Sequence, residues 1–270
     1  MIKKVLGKLL YESIGITVML IKTKLGWYRD LFTPIFWSFI LKGVYMIYKI
    51  AIDGPSGTGK STTAKALAKK LSFIYIDTGA MYRAVGLFCV KNNISIDDEE
   101  TIKSNLDNID IDIFYNNGVQ EIKLNGEVVS EEIRQNNISK CASVVSTYKD
   151  VRKKLVSIQQ KLSKKNSVIM DGRDIGTVVL PDADLKIYLI ANEEERANRR
   201  YKELIEKGQN VVYEEILKEL KERDYRDTHR ENSPLKQADD AIVVDSSEMS
   251  VEEVVNTIYD LFIKKVGNIK

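Results

Sequence analysis

The sequence predicts an α/β fold with a mostly parallel sheet covered on both faces, and three patterns predict it. Short, continuously apolar runs recur along the chain, each followed by residues at helical spacing. A glycine-rich segment joins the first of these runs to the first helix. One stretch of alternating polar and apolar residues breaks the rhythm and marks a small antiparallel insert.

Taken in order, Ile47–Asp53 reads as a strand and Lys60–Leu71, with alanines and leucines at helical spacing, as a helix. Phe73–Asp77 is a second strand leading into a helix from about Ala80 to Lys91. Asp110–Tyr115 and Val119–Leu124 alternate around Asn116-Asn117-Gly118, a hairpin signature, and Val128–Val129 adds a third short strand. This insert, about 104–135, is either an ordinary surface hairpin or a part of a ligand site. Val168–Asp171 and Leu185–Ala191 return to buried strands, the latter followed by the highly charged helix Glu193–Lys207. Ala241–Asp245 is a last strand before the amphipathic helix Val251–Lys264. The result is three layers, helix, sheet and helix.

Of 270 residues, 44% are hydrophobic and 30% charged, enough for one sizeable core and neither disordered nor disulfide-stapled. Cys89 and Cys141 lack metal or redox spacing and fit a reducing, cytoplasmic setting. Residues 1–45 carry a net +5 and both tryptophans, which leaves residues 46–270 at −3. An acidic body argues against a nucleic-acid-binding surface. Nothing in the composition demands an obligate apolar interface, so a monomer is expected.

The composition break divides the chain into an extension, 1–45, and a body, 46–270. The apolar runs of the extension are interrupted by Lys22, Pro34 and Lys42, short of the roughly 18 residues a spanning helix needs. No signal-peptide cleavage pattern is present. Two readings stand. Lys42-Gly43-Val44 can be encoded by a purine-rich stretch resembling a ribosome-binding site, so that translation begins at Met46. Alternatively, interleaved lysines and large apolar residues suit a helix lying on a membrane surface, in which case membrane contact depends on residues 1–45.

Gly54-Pro55-Ser56-Gly57-Thr58-Gly59-Lys60-Ser61 matches the phosphate-binding pattern G-x-x-x-x-G-K-[ST] in full, after a predicted strand and opening a predicted helix. The glycines let successive N–H groups turn inward as an anion nest, and the helix N-terminus adds partial positive charge. Lys60 reaches the β- and γ-phosphates of a nucleoside triphosphate, and the Ser61 hydroxyl completes a Mg²⁺ site. The pattern specifies a triphosphate without specifying its fate.

Arginines and carboxylates cluster elsewhere. Asp77-Thr78-Gly79-Ala80-Met81-Tyr82-Arg83 and Asp171-Gly172-Arg173-Asp174 follow strands, at the sheet edge where such folds bind ligands. Arg223, Asp227 and Arg230 recur at helical spacing, and Arg196, Arg199 and Arg200 lie on the charged helix. On helices, such charges also fit a solvated face with i,i+4 pairs. His229, the lone histidine, is expected to be structural or exposed.

Together with Asp171-Gly-Arg-Asp-Ile-Gly-Thr177, Pro181-Asp-Ala183 and Glu194-Glu-Arg196, these motifs resemble bacterial cytidylate kinases from about Ile47 to Lys264. The resemblance implies a P-loop NTPase fold with a small antiparallel insert for monophosphate binding and a short helical lid, about 192–212. It implies transfer of the γ-phosphoryl of ATP to CMP or dCMP, with Mg²⁺ as cofactor. Gly54 to Ser61 and Thr62 would hold ATP. Thr78, Arg152, Asp174 and Arg230 would surround the cytosine; Ser143, Arg223 and Asp227 the sugar; Arg83 and Arg173 the acceptor phosphate. Some members carry Ser at the position of Thr78, which keeps the hydroxyl. Lys60, Arg173 and the lid residue Arg196 would carry the catalytic charge. A kinase of another monophosphate, or a regulatory nucleotide switch, remains the alternative.

Overall fold

The computed structural model describes residues 46–116 and 119–267. The extension 1–45 and the Asn117-Gly118 tip of the expected hairpin lie outside the described residues. By its contacts the chain divides into two units, 1–46 and 47–270, and the second carries the fold that follows.

Its centre is β1 (Lys49–Asp53), flanked in parallel by β6 (Val168–Gly172) and β7 (Leu185–Ile190). β2 (Ile74–Asp77) extends the sheet beyond β6, and β8 (Ile242–Asp245) extends it beyond β7. The order is therefore β2-β6-β1-β7-β8, all parallel. Ala51, Val168 and Met170 pack into one cluster with Ile175 and Val179, while Ile50, Ile52 and Ile169 on alternate positions are equally buried. Burial on both faces is why these strands read as continuous apolar runs rather than alternating ones.

α1 (Lys60–Leu71) and the C-terminal α8 (Val251–Gly267) pack together against the sheet. There the Phe262 ring meets Tyr48 and Phe73 edge-on at 5.5 and 5.6 Å. A side chain buried so completely contributes roughly 1.5–3 kcal/mol. α2 (Thr78–Lys91) starts where β2 ends, with the Asp77 carboxylate capping Ala80 N at 2.9 Å. Its apolar face forms a second core with α4 (Asn136–Val145) and α5 (Lys149–Ser163), beyond the short α3 (Glu99–Ser104).

The insert is a three-stranded antiparallel sheet of β3 (Ile111–Asn116), β4 (Val119–Leu124) and β5 (Glu127–Val128). Ile111, Ile122 and Leu124 point into the α2 core. The hairpin is tied to β2 by Tyr115, whose hydroxyl donates to Tyr75 O at 2.5 Å, and by Gln120, which accepts from Asp77 N at 2.9 Å.

α6 (Glu193–Glu206) and α7 (Tyr213–His229) form a helical pair with a small apolar core of Ala197, Leu204, Ile216 and Leu220. Asn192 caps α6, and three glutamates in its first turn complement the helix dipole.

Candidate active site

Strand register builds the site. Asp53 stands opposite Gly172, and Asp77 opposite Asp171, so three neighbouring strands end in one row. The segments that leave them carry the phosphate loop, Arg173 with Asp174, and Thr78 with Arg83. They open onto one cleft of about 1210 Å³, which Lys60 and Arg173 both line. This is the carboxyl edge, where the strand order reverses around β1.

In the phosphate loop the backbone passes so close to β7 that a Cβ on Gly54 would lie 2.0 Å from Leu189 O. Gly57 and Gly59 have φ of +80° and +85°, which turns the loop back on itself ahead of α1. Lys60 Nζ lies inside the curl, donating to Pro55 O and, at 3.2 Å, to Thr58 Oγ1. Burial, and then the neighbouring Arg173, lower its pKa well below the usual amine range. Gly59, Ser61 and Thr62 line the cleft, whereas Gly54 and Pro55 serve from behind as the turn.

Ser61 Oγ donates to Asp171 Oδ2 at 2.7 Å, and Tyr75 donates to Asp171 Oδ1 at 2.8 Å. Burial, and then Asp77, raise the Asp171 pKa. A hydroxyl and a carboxylate side by side are hard oxygen donors, the set that Mg²⁺ takes alongside phosphate oxygens.

Three arginines also line the cleft. Arg83 donates to Asp77 at 2.9 Å, and Arg173 donates through Nε to Asp227 at 2.7 Å. Arg223 has a buried Nε without a hydrogen-bond partner, and burial followed by repulsion from Arg173 lowers its pKa to about 10. Even lowered to about 10, the Arg223 guanidinium stays charged at neutral pH, and with Arg83 and Arg173 beside it the wall is cationic.

A fourth group sits deeper. Asp174 Oδ2 accepts from Arg152 Nη2, and Asp174 Oδ1 stands 3.8 Å from Arg230 Nη2. Asp174 and Arg152 are each 4% exposed, yet both line the cleft. The Arg152 guanidinium lies 5.6 Å from the Tyr82 ring centroid. Arg152 Nε, Arg230 Nη2 and the buried Ser143 hydroxyl lack hydrogen-bond partners within the protein. Thr78 Oγ1 donates to Asp171 O at 2.6 Å, and Thr78 also lines the cleft.

Arg196 does not line the cleft; it packs behind the phosphate loop, where Nη1 donates to Ser56 O at 2.9 Å and to Asp224. Arg199 and Arg200, on the same helix, line the cleft instead. The described side chains of β3–β5 do not line it either; α4, which follows them, supplies Ser139, Lys140 and Ser143. The strands bury their apolar face in the core, and the chain after them lines the cleft through Arg134, still within the 104–135 insert, and through α4.

Sequence reasoning also passed over Asp53. Its two oxygens accept from Ile175 N and Gly176 N at 2.8 and 2.7 Å and pin the segment that carries Arg173 and Asp174. Beyond that pin the chain makes a single π-helical turn, Ile175–Val179, of the kind found at functional sites. The position of Asp53 directly before the first glycine of the loop was its one visible signal.

A phosphate loop and a cationic wall that share one cleft define a P-loop kinase, built to bring two phosphorylated ligands together. The chain belongs to the cytidylate kinase family, whose model matches residues 50–264. A cytidylate kinase of Caldicellulosiruptor saccharolyticus is 56% identical over 219 residues, which cover 81% of this chain and 97% of that protein. One from Carboxydothermus hydrogenoformans is 50% identical over 217 residues, 80% and 98% of the two chains. Among solved structures, a gluconokinase of Sinorhizobium meliloti overlaps 82% of this chain and 95% of its own at a TM-score of 0.45 and 13% identity.

Proposed function

We propose that this chain transfers the γ-phosphoryl of ATP to CMP or dCMP, giving ADP and CDP or dCDP. The observation that carries the choice of base is Asp174 held between Arg152 and Arg230 in the lining of the cleft. Cytosine offers an amino donor beside two acceptors, and the cluster offers a carboxylate acceptor beside two guanidinium donors. Uracil presents a carbonyl where cytosine has its amino group, which sets acceptor against acceptor. A site built around a required donor rejects the analogue lacking it by a factor on the order of 10⁴.

The remaining residues divide by charge and reach. Gly57 to Thr62 cradle the triphosphate of ATP, and Lys60 neutralises its β- and γ-oxygens. Arg83 and Arg173 grip the acceptor phosphate as planar forks, while Arg223, Asp227 and Ser143 hold the sugar. Attack by an acceptor oxygen forms the new P–O bond as the bond to ADP breaks; the nucleophile is already anionic, so no general base is needed. In keeping with this, the exposed His229 stacks on Tyr225 at 4.0 Å and does not line the cleft. Arg199 and Arg200 are placed to stabilise charge on the moving group.

The Ser61–Asp171 pair fits Mg²⁺, which when bound supplies charge neutralisation between the β- and γ-phosphates. The reading is of a cytoplasmic monomer that takes ATP and CMP or dCMP and no nucleic acid. No helix among the described residues is long and apolar enough to cross a membrane. Steady-state assays with CMP, dCMP, UMP and AMP as acceptors test the proposal. Preference for CMP and dCMP is expected; a preference for AMP, or ADP formation without any acceptor, would overturn it.

A further inference from the structure

α7 has two working faces. Arg223, Asp227 and Arg230, at spacings of four and three, point into the cleft. Asp224 is one residue on from Arg223, a rotation of about 100° around the helix, and faces the back of the phosphate loop instead. There its Oδ1 accepts from Ser56 N at 3.1 Å and its Oδ2 accepts from Arg196 Nη1. Arg196 Nη1 also donates to Ser56 O at 2.9 Å and its Nε to Ala191 O at 3.1 Å. Three segments therefore close into one ring: the phosphate loop, the first turn of α6 and the cleft helix α7.

The ring reaches the curvature of the loop. Gly57, next to Ser56, has a φ of +80°, and a Cβ there would sit 3.1 Å from Arg196 Cβ. The Arg196 side chain thus packs against the turn that aims the N–H groups at the triphosphate. The Arg196 and Asp224 side chains are 6% and 18% exposed, so neither charge is simply solvated if the other is lost.

We propose that Asp224 is a positioning residue that couples the two substrate sites, so that ATP in the loop sets the α7 face that receives CMP. Ser56 and Asp224 move together because a backbone N–H and a charged carboxylate join them. Any change in the loop on binding the triphosphate is passed to α7, one residue from Arg223 and three from Asp227. The coupling is reciprocal by linkage and typically worth 5- to 150-fold in affinity. This inference rests on the CMP kinase reading.

The test is calorimetric titration of CMP with and without a non-hydrolysable ATP analogue and Mg²⁺. In the unaltered protein the analogue should tighten CMP at least about fivefold. In Asp224→Asn the tightening should fall below about twofold, while each nucleotide alone binds within a few-fold of its former affinity. Arg196→Met, which keeps much of the side chain's length but has no donor to bridge Ser56 and Asp224, should lose coupling likewise. It decides the matter if Asp224→Asn fails to fold. The double variant should lose no more than either single one. A residue serving only the fold would lower the melting temperature and weaken both affinities without changing their ratio. Coupling that survives in the variants, or is absent from an unaltered protein that phosphorylates CMP, overturns the inference alone. A protein that does not bind CMP overturns both readings.

Discussion

Arg152 donates to Asp174 from a position 22 residues away in sequence, and the two buried side chains both line the cleft. Asp174→Ala removes the proposed acceptor for the cytosine amino group and leaves Arg152 and Arg230 without their shared carboxylate. KM for CMP should rise by roughly 10- to 200-fold and the preference for CMP over UMP should shrink, with a smaller effect on kcat. Loss of the carboxylate should also cost about 3–5 kcal/mol of stability, because two buried charges are left uncompensated. Steady-state kinetics with both acceptors and a denaturant titration check the two parts.

Lys60→Ala should act on the opposite parameter. The amine sits inside the phosphate loop, so the larger effect should fall on the phosphoryl-transfer step rather than on CMP affinity. kcat should fall by about 10²–10³, the usual cost of removing one preorganised charge. Single-turnover kinetics beside equilibrium CMP binding separate the two effects.

Ser61→Ala removes the hydroxyl that donates to Asp171, and with it one oxygen donor of the proposed Mg²⁺ site. The Mg²⁺ concentration giving half-maximal rate should rise several-fold, and chelation by EDTA should abolish turnover of the unaltered enzyme. A Mg²⁺ titration that is identical in the variant would remove Ser61 from the site.

Asp53 gives the pH prediction. Burial, set against hydrogen bonds from Gly176 and Ile175, raises its pKa from 3.8 to about 6. The folded protein thus binds the proton more tightly than the unfolded chain. The stability this contributes is fully present below about pH 4 and is lost as pH rises through 6. Relative to Asp53→Asn, the unaltered protein should lose on the order of 3 kcal/mol between pH 4 and pH 7. Paired denaturant titrations at the two pH values measure that difference; a difference independent of pH would show that Asp53 does not titrate as described.

Local features were the legible ones. The phosphate loop and α1 announce themselves because the glycines, Lys60 and Ser61 act within eight residues of chain. The central parallel strands β1, β6 and β7 show because burial on both faces favours continuous apolar runs, whereas the edge strand β8 shows as an apolar run with Ile242 and Val243 exposed. The three-stranded insert showed as a hairpin, but alternation does not reveal which partner its apolar face will meet. Arg196, Arg199 and Arg200 lie within five residues and look equivalent; only packing behind the loop separates the first from the others. Ser143 and Arg152 came from the family resemblance alone, since α4 and α5 carry no local motif. Asp53, Asp171 and Asp224 find their partners across 122, 110 and 168 residues, so their work is written in topology rather than in spacing.

On the proposed function, one cleft holds ATP and CMP end to end. A single molecule joining adenosine to cytidine through five phosphates tests it most directly, by titration against the protein loaded with each nucleotide. It should bind far more tightly than either nucleotide alone and displace both together, in the way linked ligands gain from effective concentration. Displacement of only one nucleotide, or an affinity no better than that of ATP, would contradict it.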